Sequence, residues 1–128
     1  MVVTIVIFAA ILVVFALAIT RIWQGRSELD GSRPASWWPF SDALWRGVVR
    51  AFPVQAACVT LLIGGGIAGD LVKDSPGHDI AMGVGLVGLL GIFLLALPVT
   101  FFNRPRFAVP PHQRDEPGAV AEWRAARR

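Results

Sequence analysis

The sequence predicts an all-α integral membrane protein with three transmembrane helices and one interfacial amphipathic helix. Three observations carry this reading. The chain of 128 residues is 55% hydrophobic and only 16% charged, where soluble domains carry about a quarter charged residues. The charges are segregated, with none in residues 2–20, 53–69 or 80–102, as stretches exposed to hydrocarbon require. Finally, the basic residues alternate in placement. Arg21, Arg26, Arg33, Arg46 and Arg50 follow the first run, and Arg104, Arg106, Arg114, Arg124, Arg127 and Arg128 follow the third. Only Lys73 lies between the second and third. Cytoplasmic segments collect Lys and Arg, so the N-terminus reads as outside and the C-terminus as cytoplasmic.

Residues 1–20 form the first span. At about 1.5 Å per residue the run reaches about 28 Å, close to the hydrocarbon thickness of roughly 30 Å. Its many β-branched residues would suggest a strand in water, but a lone strand in lipid cannot satisfy its backbone, so a helix is expected. It is apolar on all sides. Arg21 and Trp23 follow as an interfacial charge and an aromatic anchor. Ala16, Leu17 and Ala18 match a signal-peptide cleavage pattern. The uncharged start, the length of the run and the arginines that cleavage would export all favour a retained span.

Residues 21–36, with Gly25, Gly31 and Pro34, read as a polar cytoplasmic linker. In residues 37–52, Phe40, Leu44, Trp45, Val48, Val49 and Phe52 fall on one helical face, and Asp42, Arg46 and Arg50 on the other. Ser41 is placed to cap the helix. Asp42 before Arg46 is the favourable order for a helical ion pair. This pattern fits a helix lying in the membrane interface, with Trp37, Trp38, Trp45, Arg46 and Arg50 touching lipid or a partner. Pro53 disfavours an α conformation at Phe52, which predicts a bend before the second span.

Residues 53–69 form that second span, with Gln55, Cys58 and Thr60 as its polar or polarisable members. Gly65 and Gly69 make a G-x-x-x-G pair that lets another helix approach. Residues 70–79 form the outer loop. The spacing of Asp70, Asp74 and His78 suggests metal ligands, but Pro76 and Gly77 interrupt any helix that would align them, so a charged connection is expected. Residues 80–102 form the third span. Ala81, Gly85 and Gly88 share one face, extended by Gly91, and are expected to meet Gly65 and Gly69. Pro98 should free the carbonyl of Leu94 and kink the inner end.

Residues 103–128 form a basic, proline-rich tail. Pro105, Pro110 and Pro111 predict an extended, polyproline-like path. Residues 119–128 suggest a short helix with Val120 and Trp123 on one face. Trp123, Arg124 and Arg127 are its candidate contacts to lipid or a partner. Ten residues are too few to stay helical alone in water, so an ordered tail would be held by lipid or another protein, and the alternative is a frayed, basic terminus lying on the lipid.

The chain lacks the sequence signatures of phosphate-binding loops, zinc hydrolases and serine hydrolases. The spans hold no ionisable side chain apart from Cys58, whereas proton relays and ion-coupled transport normally need intramembrane acids or bases. A single cysteine excludes an internal disulfide. No cofactor, metal or catalysis is therefore expected. The net charge of +3 sits beside the spans rather than on one patch, which argues against nucleic-acid binding. The expected partners are membrane lipids and other membrane subunits, or further copies of the chain as a homo-oligomer. The best-fitting role is an accessory or structural subunit of a larger membrane complex. A homo-oligomeric channel or small transporter, lined by Gln55, Thr60 and glycine backbone, is one alternative, and a membrane-surface docking module is another. Arginine is used almost to the exclusion of lysine, a GC-rich bacterial bias that suggests a bacterial cell membrane.

Overall fold

The computed structural model describes residues 2–26, 34 and 36–128. Most of the predicted linker, Gly31 and Arg33 included, lies outside the described residues. Among those described there is no strand, and three helices are long and apolar enough to cross a membrane: Val2–Trp23 (α1), Asp42–Leu71 (α2) and the continuous helical stretch Gly77–Phe102. That last stretch consists of Gly77–Gly91 (α3), a π-helical turn Ile92–Ala96 and Leu97–Phe102 (α4). The tail adds two single 3₁₀ turns and a short helix, Ala119–Ala126 (α5).

The second helix begins where capping chemistry puts it. Ser41 holds an extended backbone, its Oγ accepts from Leu44 N at 3.4 Å, and Asp42 places a carboxylate in the first turn. The expected division into an interfacial helix over residues 37–52 and a span after Pro53 does not occur. Trp37 lies in a turn ahead of the cap, Trp38 also precedes it, and α2 runs unbroken through Pro53. Proline removes a backbone donor and crowds the carbonyl one turn back. Here Val49, Ala51 and Pro53 are all buried, and packing keeps the helix on course. At 30 residues α2 measures about 45 Å, well beyond the hydrocarbon thickness of roughly 30 Å. Its first turns, with Arg46 and Arg50, can therefore project past a bilayer while its remainder spans it.

The most extensive pairing is between α2 and α3, and glycine makes it possible. A Cβ added at Gly65 would fall 2.3 Å from Gly85 N and 2.7 Å from the Ala81 carbonyl oxygen. One at Gly88 would fall 2.5 Å from Leu62 N and 2.6 Å from the Cys58 carbonyl oxygen. Gly69 faces Met82 and Ala81, and Gly91 faces the Cys58 sulfur. These are backbone-to-backbone approaches that a methyl group would prevent. The turn between the helices is tied by His78, whose Nδ1 lies 3.0 Å from the accepting Gly69 carbonyl.

Pro98 is accommodated by a change of winding. The Leu97 N–H donates to the Ile92 carbonyl, five residues back. A π-turn of this kind is a recognised way to relieve a helix where the regular ladder is interrupted. Further on, α4 passes close under α2, where a Cβ at Gly47 would lie 2.3 Å from the Thr100 carbonyl oxygen. Ala51, Val99, Ala108 and Val109, with Val54 beside them, form a small core at this end of the molecule.

The first helix is attached more lightly. Phe15 meets Phe52 edge-on at 6.0 Å, and Phe8 lies over Gly64. Only Ile22, at its far end, is buried.

Candidate functional site

Two arginine–glutamate ion pairs lie at one end of the molecule, where α2 starts, α4 ends and the tail returns. The reversal is set by Asn103. It takes a left-handed conformation (φ 54°) at the C-cap of α4, which asparagine tolerates better than most residues. Its buried Nδ2 lies 3.1, 3.3 and 2.7 Å from the accepting carbonyls of Gln113, Arg114 and Glu116. One side-chain amide thus gathers the backbone of the returning segment. The predicted polyproline path is absent. The segment folds into 3₁₀ turns at Arg106–Ala108 and Pro111–Gln113, because Ala108, Val109 and Pro110 are buried against the core.

The tail is then clamped to α2. The Arg50 side chain is 1% exposed, and its Nη2 donates to Glu116 Oε2 at 2.9 Å while Nη1 donates to the Pro117 carbonyl at 3.2 Å. Its Nε is buried with no acceptor among the described residues. One turn earlier, Arg46 pairs with Glu122 of α5. Trp123 Nε1 donates to Ser41 Oγ at 2.7 Å, so the hydroxyl that caps α2 also receives the tail. The Trp123 ring lies 6.4 Å from that of Phe101. Gly118 allows the approach, since a Cβ there would fall 2.5 Å from the Phe101 carbonyl oxygen.

Arg46 and Arg50 were expected on a face turned to lipid headgroups or a partner. Both are paired with the chain's own tail, because Glu116 and Glu122 supply opposite charges in register with them; Arg50 is buried by it, whereas the Arg46 side chain stays 46% exposed. The short final helix is held by α2 and α4 of the same chain. Trp38 and Trp45 pack edge-on at 5.1 Å, with Phe40 5.4 Å and Trp37 6.2 Å from Trp38. Trp37 remains exposed, as do Arg124 on α5 and Arg127 just after it. Gly65, Gly69, Ala81, Gly85 and Gly88 are brought together in the α2–α3 seam.

Sequence reasoning missed Asn103, Glu116, Glu122, Gly47 and Gly118. The one available signal was charge: the tail contains acids amid its arginines, and α2 offers two arginines four residues apart. The arrangement is structural chemistry, a set of hydrogen-bonded ion pairs that fixes a terminus. Among the described residues no three His, Cys, Asp or Glu side chains converge as metal ligands. The Cys58 thiol is buried in the helix seam. Comparison of the chain with family models, with curated proteins and with solved structures finds no significant match in any of the three.

Proposed function

We infer that this protein is an accessory or structural subunit of a larger membrane complex, seated in a bacterial cell membrane with its tail on the cytoplasmic side. The observation that carries the reading is Gln55. It lies in the apolar part of α2, its side chain is exposed, and it has no hydrogen-bond partner among the described residues. An amide facing hydrocarbon favours a partner on another helix, worth about 1 kcal/mol. The weak attachment of α1 supports the same reading. None of its most apolar window is buried, against 28% for α2. The close-packing glycines are spent inside the chain, so a partner would meet the outer surfaces of α1 and α2.

The test is gentle detergent extraction at native expression followed by size analysis. Wild type should migrate as a larger assembly, and Gln55→Leu should shift part of it towards single chains. A lone species the size of one chain would refute the proposal. Reporter fusions at both ends test the orientation, with opposite compartments expected.

A homo-oligomeric channel is the second reading, since Gln55 could equally meet its copies. The close contact of Gly65 with α3, and of Gly88 with α2, removes that glycine backbone from any lining. Solute flux through reconstituted vesicles separates the two readings.

A further inference from the structure

We propose that the turn Arg106–Ala108 and its approach form a binding site for anionic phospholipid headgroups, with Phe107 inserted between the lipids. Three features meet here. First, Phe102, the last residue of α4, is 60% exposed and Phe107 is 69% exposed, whereas Ala108, Val109 and Pro110 immediately after are buried. A 3₁₀ turn anchored by its own C-terminal side thus holds an aromatic ring outward. Such a ring in water is unfavourable, and beside a span it suits the membrane interface.

Second, Arg104 and Arg106 come just before this ring in the chain, both exposed and both without an ion pair among the described residues. Arg114 adds a third guanidinium at the same turn, because its Nε donates to the Val109 carbonyl at 3.1 Å. Third, two nearby acids are committed elsewhere, Glu116 to Arg50 and Glu122 to Arg46, and the exposed Asp115 makes no ion pair with these arginines among the described residues. The clamp therefore silences the arginines of α2 and leaves those of the turn to a ligand. Unpaired guanidiniums around an apolar wedge, directly after a span, complement a phosphodiester headgroup above acyl chains.

The site rests only on the membrane reading of the helices. The full chain is reconstituted into vesicles of equimolar phosphatidylcholine and phosphatidylglycerol. Lipids retained on gentle delipidation are then read by native mass spectrometry. Wild type should retain phosphatidylglycerol preferentially. The R104Q/R106Q double variant should lower that preference by roughly fivefold for each guanidinium removed, and Lys73→Gln should leave it unchanged. Native tryptophan emission reports that the variants are folded. A double variant with wild-type preference, or a wild type without any, overturns the proposal. If the double variant misfolds, Phe107→Trp in the otherwise wild-type chain decides. Brominated phosphatidylglycerol should quench its added emission more than brominated phosphatidylcholine does, and equal quenching overturns the site. A chain that fails to float with the vesicles sinks the membrane reading as well, whereas flotation without headgroup preference sinks this inference alone.

Discussion

The guanidinium of Arg50 meets the carboxylate of Glu116 at 2.9 Å although 66 residues separate them in sequence, and only the carboxylate keeps substantial contact with solvent. That inequality has an energetic consequence. Removing the acid strands a buried cation, while removing the cation leaves an acid that water can solvate. Glu116→Ala is expected to weaken tail docking by about 2 kcal/mol, and Arg50→Met, which keeps the volume and discards the charge, by less. Limited proteolysis of the tail measures both, and the reverse order would contradict the clamp as described.

Ser41 serves two elements at once, and its loss should exceed that of an ordinary cap. Ser41→Ala removes the acceptor of both Leu44 N and Trp123 Nε1, at an expected cost of about 1–2 kcal/mol. Trp123→Phe removes one of these bonds and should cost less. Thermal unfolding of the two single variants and the double variant should show non-additive effects, because they share one hydrogen bond.

Gly65 and Gly66 are neighbours with opposite expectations. Alanine at Gly65 meets the backbone of α3, whereas nothing lies within 4 Å of a Cβ at Gly66. Gly65→Ala should destabilise the α2–α3 pair by more than about 2 kcal/mol. Gly66→Ala should be neutral, or stabilising by up to about 1 kcal/mol through helix propensity. Unfolding titrations in mixed detergent distinguish them.

Cys58 is a built-in reporter of the same seam. It is the one thiol in the sequence and is buried, with Gly91 opposite its sulfur. A membrane-permeant maleimide should label it slowly in the native protein and quickly after denaturation. Gly65→Ala should accelerate labelling, and unchanged labelling would show that the helices stay paired.

The three long apolar helices were legible because exclusion of charge from long apolar runs is a local property, readable along the chain. The glycine seam was legible for a similar reason: Ala81, Gly85 and Gly88 recur at helical spacing, and a short connection makes α2 and α3 neighbours. What periodicity could not reveal is the cover. It marked Arg46 and Arg50 as sharing a polar face, but an Arg50 that a distant Glu116 will bury reads the same as an Arg46 that stays open to its surroundings. Pro53 misled for a related reason. Its cost is intrinsic to the backbone, while the burial of Val49 and Ala51 that overrides it is tertiary. At Pro98 the freed carbonyl was foreseeable, but the π-turn that absorbs it depends on how α4 seats under α2. Asn103 carried no signal, since its three carbonyl partners appear only once the tail has turned back.

The clamp also fixes an order of events during biosynthesis. Arg46 and Arg50 leave the ribosome long before Glu116 and Glu122, as chains are made from the N-terminus onward. Through most of translation these two cations must be hydrated or held by some temporary anion at the membrane edge. Only a chain extended past Glu116 and Glu122 can neutralise them from within, so a copy truncated before Glu116 would present an open, doubly charged helix end.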